Sequence, residues 1–169
     1  MRMKTRTLAY LAVLSALGTV FEYLSSVLPT GQLGFLALAS LCGVAAVIES
    51  GAGGGIAAFI VTAVLSFLIL PTKTGAIIYA VFFGWYPVMK LFAERIKLKP
   101  IEWAVKLISL NAAVTVLIYV FNIVFFTFDA AVPVIYLILN AVFIVFDIGV
   151  TRAIGFYISR IAPHMKRGK

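Results

Sequence analysis

The sequence predicts an all-α fold: a polytopic membrane protein built as a bundle of six transmembrane helices, with both termini cytoplasmic. Three observations lead there. Of the 169 residues, 63% are hydrophobic and only 12% charged, and the mean hydropathy is +1.13, which leaves too little polar surface to cover a soluble globule. The apolar residues gather into runs that approach the roughly 20 residues needed to cross a bilayer. The basic residues sit in short clusters between those runs rather than along one helical face, so the net charge of +8 reads as a topology signal and not as a nucleic-acid surface.

The first span is expected at 7–28. Its start, "MRMKTRTLAYLAVLSALG", has the basic and apolar parts of a signal peptide but no A-x-A-like cleavage site after it, so it reads as a retained helix. The second and third spans, 33–48 and 55–70, flank "ESGAGGG", and the fourth, 75–92, follows "LPTKTG". The fifth, 103–128, follows "KLKP", and the sixth, 132–158, contains Pro133; both are long enough to tilt. Outer-membrane strands would be shorter and would alternate apolar with polar residues, which these runs do not. The connections are short, leaving the whole chain as one integral membrane domain. Cys42 is the one cysteine, so a disulfide within the chain is excluded.

Six spans put the termini on one side. Arg2, Lys4 and Arg6, then Arg95, Lys97 and Lys99, then Arg160, Lys166, Arg167 and Lys169 all fall on that side, whereas the other has only Lys73 as a cation and Asp129 as an acid. The positive-inside rule makes the richer face cytoplasmic, in a cell membrane.

The glycine stretch "VIESGAGGG" has no lysine after its glycines, so it is not a Walker phosphate loop. It reads as a packed cytoplasmic turn or as a contact surface for another protein. In the first span Ala12 and Ala16 are one turn apart and form a shallow groove for an approaching helix, either inside the bundle or from a partner.

A basic N-terminus, that alanine pair, a short turn with Pro29 and Gly31, and then "LGFLALASLCGVAAVIESGAGGGIAAF" resemble the start of a substrate-binding S-component of energy-coupling-factor (ECF) vitamin transporters. The resemblance covers about the first 75 residues, with general architecture over the rest. It implies a subunit that captures a vitamin or metal ion from outside, while a transmembrane partner and two cytoplasmic ATPases drive release inward. It further implies that Ala12 and Ala16 contact the transmembrane partner. The sequence departs from the family in having Glu49-Ser50-Gly51 where Gly-Pro-x-x-Gly is common, and in the brevity of "PTGQ".

Polar residues within the spans bear on binding. Glu22 lies about 22 Å along the first helix from Thr7, in the outer third of the bilayer. A carboxylate there costs roughly 2.5–3.5 kcal/mol, so it should face the interior, a partner or water. Lys73, Tyr79, Asn122, Tyr136 and Asn140 fall in the same half. Together they form a candidate substrate-binding set: Glu22 or Lys73 for a charged group, the asparagines for hydrogen bonds, the tyrosines for stacking on a ring. The alternative is that the asparagines bond across helices and the tyrosines form an interfacial belt.

Glu49, Lys90, Glu94, Lys106, Asp147 and Arg152 fall near cytoplasmic helix ends, where opposite charges can pair. Lys90 and Glu94 have i,i+4 spacing, and Asp147 has Lys90 or Lys106 as expected partners, with a proton relay as the other reading. Pro87 should kink the fourth helix. The only histidine, His164, is in the charged tail, so no zinc cluster and no nucleophile–base pair is expected. The expectation is no enzyme, no cofactor and no nucleic-acid partner. Two other functional classes suit the same features: a membrane scaffold similar to the rod-shape membrane protein, and a self-sufficient small channel or carrier.

Overall fold

The computed structural model describes residues 5–28, 30–125 and 132–161. Helices account for nearly all of them: α1 (Thr5–Val27), α2 (Gln32–Ile69), α3 (Lys73–Ile78), α4 (Tyr86–Ala93), α5 (Lys99–Phe125) and α6 (Val132–Phe156). No strand occurs among the described residues. Among the described residues five helical stretches, Thr5–Val27, Gln32–Ile69, Lys73–Ala93, Lys99–Val120 and Pro133–Ser159, are long and apolar enough to cross a membrane. Leu68 and Ile108 are 75% and 68% exposed, as expected of helices whose outer faces meet hydrocarbon and not water. The chain divides into two compact units, Met1–Phe128 and Asp129–Lys169.

In the first unit, α2 carries the main departure from regular geometry. Its 38 residues would span about 57 Å if straight, nearly twice the hydrocarbon thickness. Gly51 breaks the helix with φ +69° and ψ −168°. The segment after it folds back on the segment before it: Gly55 lies against the Val47 side chain and Gly54 against Ser50. The expected turn at 49–55 therefore shrinks to one residue, and Glu49, Ser50 and Ala52 to Gly55 stay helical. Glycine makes this possible, because that combination of positive φ and extended ψ is essentially closed to residues with a Cβ.

Gly51→Ala should accordingly cost about 1–3 kcal/mol from backbone strain alone, since nothing lies within 4 Å of the added Cβ. Gly53→Ala, equally open but helical, should be neutral or slightly stabilising. Thermal unfolding of the two variants in detergent separates strain from crowding.

α1 packs along both halves of α2. Its buried residues, Leu11, Leu14, Ser15, Gly18, Glu22 and Ser25 among them, recur every three or four positions and form one stripe. Leu11 and Leu14 meet Cys42, Ala46 and Ala58. Gly18 admits close approach: its Cα faces Thr62 of the returning half and the Ala39 carbonyl of the outgoing half.

The expected fourth span is bent as anticipated, although the irregularity lies just before Pro87. The chain forms a π turn at Tyr79–Phe83, in which the Gly84 N–H donates to the Tyr79 carbonyl at 2.8 Å. α4 then restarts with Pro87 in its first turn, where a missing N–H is tolerated. The Trp85 indole N–H donates to the Val81 carbonyl at 2.6 Å, satisfying an acceptor beside the break.

α5 begins at Lys99, four residues before the expected start at 103. Pro100 sits in its first turn, compatible with helix, and Glu102 complements the positive end of the helix dipole. Residues 126–128 lie outside the described residues. In the second unit, α6 runs over almost the expected range and ends in a π turn at Tyr157–Ile161.

Candidate functional site

Because α1 buries one stripe, position 22 falls inward with the same period that buries Leu11, Leu14 and Gly18. Glu22 is 0% exposed, and neither carboxylate oxygen has a hydrogen-bond partner. The Ser66 hydroxyl faces it from the returning half of α2, and it too is buried without a partner in bonding geometry. Tyr79, in the π turn, is also buried, with Glu22 and Thr62 among the groups near its hydroxyl. Its ring packs on Phe59 at 6.2 Å between centroids, beside Leu36 and Ala39.

Four chain segments thus converge: α1 with Glu22, the outgoing half of α2 with Leu36 and Ala39, the returning half with Thr62 and Ser66, and the π turn with Tyr79. Neighbouring hydroxyls already have acceptors. Ser25 Oγ donates to the Glu22 carbonyl at 2.7 Å, Thr19 Oγ1 to the Ser15 carbonyl at 2.9 Å, and Thr62 Oγ1 to the same carbonyl at 3.4 Å. What stands out is the carboxyl and hydroxyl oxygens that have none. Buried polar groups are ordinarily bonded, and an unsatisfied one costs about 1–3 kcal/mol. A carboxyl group and hydroxyls facing one another can hold a donor-bearing or cationic ligand group.

The remaining nominated residues are placed as follows. Lys73 is exposed, and its ammonium donates to the Phe67 and Leu70 carbonyls, both at 2.7 Å, so it caps the C-terminal end of α2. Tyr136 and Asn140 lie one turn apart in α6, where the Asn140 amide donates to the Tyr136 carbonyl at 2.8 Å. Asn122 has its side chain outside the described residues. Ala12 and Ala16 are both exposed, on the face of α1 that also presents Val13, Leu17 and Val20. The structure therefore brings Glu22 and Tyr79 together within the first unit.

Thr62 and Ser66 were not nominated from sequence. Their signal is the spacing in "IVTAVLSF": with Ala58 they recur every four residues, a stripe of small and hydroxyl residues suited to the interior of a helix bundle.

A second polar cluster joins α4 to α5. Lys90 Nζ lies 2.8 Å from Glu94 Oε1, the i,i+4 pair expected from spacing. Lys106 Nζ lies 2.8 Å from Glu102 Oε1 and 3.9 Å from Glu94 Oε1. Lys99 Nζ reaches Glu102 Oε2 at 2.8 Å, and the Trp103 ring lies 5.3 Å from Lys106 Nζ. Three lysines face two glutamates, so both carboxylates are engaged with one positive charge in excess, and the arrangement couples two helices. Asp147, buried in α6, accepts at its carbonyl from Thr151 Oγ1 at 2.8 Å. Among the described residues no group of three or more His, Cys, Asp or Glu side chains is placed to hold a metal ion.

No protein-family model, curated protein or solved structure matches the chain.

Proposed function

We propose that the chain is the membrane-embedded solute-binding subunit of an ECF-type importer, capturing a vitamin-like small molecule from outside. In this reading the two halves of α2 count as separate crossings, which gives six spans and places both termini and the Gly51 turn on the cytoplasmic side of a cell membrane. The observation that carries the reading is Glu22: a carboxyl group buried in an apolar bundle, facing the Ser66 hydroxyl, without a bonding partner. An intramembrane acid is costly, and a site that keeps one with nothing to neutralise it is a binding site by default. Tyr79 is the aromatic neighbour of the bound solute. Ala12 and Ala16 dock the transmembrane partner, whose ATPases supply the energy; their exposure on α1 suits that role.

Pull-down from detergent-solubilised native membranes tests the assembly. Wild-type protein should recover a transmembrane subunit and ATPases, and the double variant Ala12→Trp/Ala16→Trp should lose them while keeping its helicity. Recovery of wall-synthesis or division proteins would favour the scaffold reading. Conductance by the purified protein alone would favour the channel.

A further inference from the structure

A shallow groove of about 350 Å³ runs between α4, the connection after it and α5, lined by Trp85, Val88, Met89, Phe92, Ile96 and Val105. We propose that this groove is a binding site for an anionic phospholipid, with an acyl chain against the apolar lining and the phosphate on Arg95 and Lys97.

Charge is the first argument. Residues 86–106 hold five cations, Lys90, Arg95, Lys97, Lys99 and Lys106, against two carboxylates, Glu94 and Glu102. Both carboxylates are already engaged by lysines: Glu94 by Lys90 and Glu102 by Lys106 and Lys99. Arg95 and Lys97 are exposed, and neither has a carboxylate partner among the described residues. These two cations flank Ile96, a lining residue, in the connection that borders the groove. Arg95 is held there, with its guanidinium 5.4 Å from the ring centre of Phe92, a groove-lining residue.

The lining decides between occupants. It is built from aliphatic and aromatic side chains and one thioether, and its one strong donor, the Trp85 indole, is already bonded to the Val81 carbonyl. An extended peptide laid in the groove would leave its backbone polar groups without partners, at a cost that an acyl chain does not incur; a helix satisfies its own backbone, but its apolar face would leave the adjoining cations without a counter-charge, which a phosphate supplies. Basic residues flanking an apolar inter-helix groove are the arrangement that recognises anionic headgroups. The proposal rests on the membrane embedding proposed above but not on the importer reading.

The chain has two tryptophans, so Trp103→Phe leaves Trp85 as a reporter inside the groove. The single-tryptophan protein is placed in nanodiscs of dioleoyl phosphatidylcholine and titrated with phosphatidylglycerol or phosphatidylcholine carrying brominated acyl chains. Brominated phosphatidylglycerol should quench Trp85 at a mole fraction about thirtyfold lower, given two cations near the membrane surface. Arg95→Gln/Lys97→Gln, which alters exposed positions only, should abolish that preference and leave quenching by phosphatidylcholine unchanged. Equal quenching by the two lipids, a preference that survives the double substitution, or no quenching by either lipid would each overturn the proposal. The importer reading stands or falls separately, on the pull-down.

Discussion

Glu22→Met is expected to make the protein more stable and to abolish solute binding. The Glu22 carboxyl is fully buried, with the Ser66 hydroxyl beside it outside bonding geometry, so the native state bears most of its desolvation without compensation. Methionine is comparably long, helix-compatible and free of strong polar atoms. Removing the unsatisfied group should recover about 1–3 kcal/mol, visible as a higher midpoint of thermal unfolding in detergent. Loss of binding together with gain of stability is the signature of a site kept for function at the expense of packing. If Glu22→Met instead unfolded the protein as a core truncation does, the carboxyl would have a structural role and the site assignment would fail.

Lys106→Met should have the largest effect on stability. The Lys106 and Glu102 side chains are 2% and 5% exposed and 2.8 Å apart. Deleting one member of such a pair leaves the other charge buried, which typically costs 3–5 kcal/mol. Glu102 keeps Lys99 at 2.8 Å, so the expected loss is about 3 kcal/mol, near the lower end. The double variant Lys106→Met/Glu102→Leu should recover much of it, because a buried pair replaced by apolar residues is often neutral. A double-mutant cycle in detergent checks this. A loss below 1 kcal/mol for Lys106→Met would mean that water reaches the pair and screens it, as at an exposed surface.

Much of the fold was legible because bilayer crossing is set by length and hydropathy, and both can be read directly. α1 and α6 fall close to their expected ranges for that reason. Where the reading missed, local backbone geometry decided. "ESGAGGG" has enough glycine for a long loop, yet a single residue in a conformation closed to other side chains reverses the chain, and only coordinates reveal which glycine takes it. α5 starts before 103 because Pro100, a breaker inside a helix, is compatible with its first turn. At Pro87 the bend was foreseen from the missing N–H, but its position in the preceding π turn depends on how Tyr79 and Phe82 pack.

The candidate site was legible in its charged member and not in its small ones. An acid in an apolar helix is conspicuous, so Glu22 was found by composition alone. Ser66 and Thr62 are ordinary in a transmembrane helix, and their role depends on α2 folding back so that its returning half faces α1. Lys73 looked like a ligand-binding cation because it is the only basic residue in its loop, but helix α2 ends just before it, and the open carbonyls at that end take its hydrogen bonds.

Capture of a small solute at Glu22 distinguishes a binding subunit from a scaffold or a channel. Native mass spectrometry tests it most directly: wild-type protein and Glu22→Gln, which preserves shape and removes the acid, are each equilibrated with a total small-molecule extract of cells. A discrete small molecule should be bound to the wild type and absent from Glu22→Gln, with both proteins equally folded. A wild type that emerges without ligand, or the same ligand held equally by both, would contradict it.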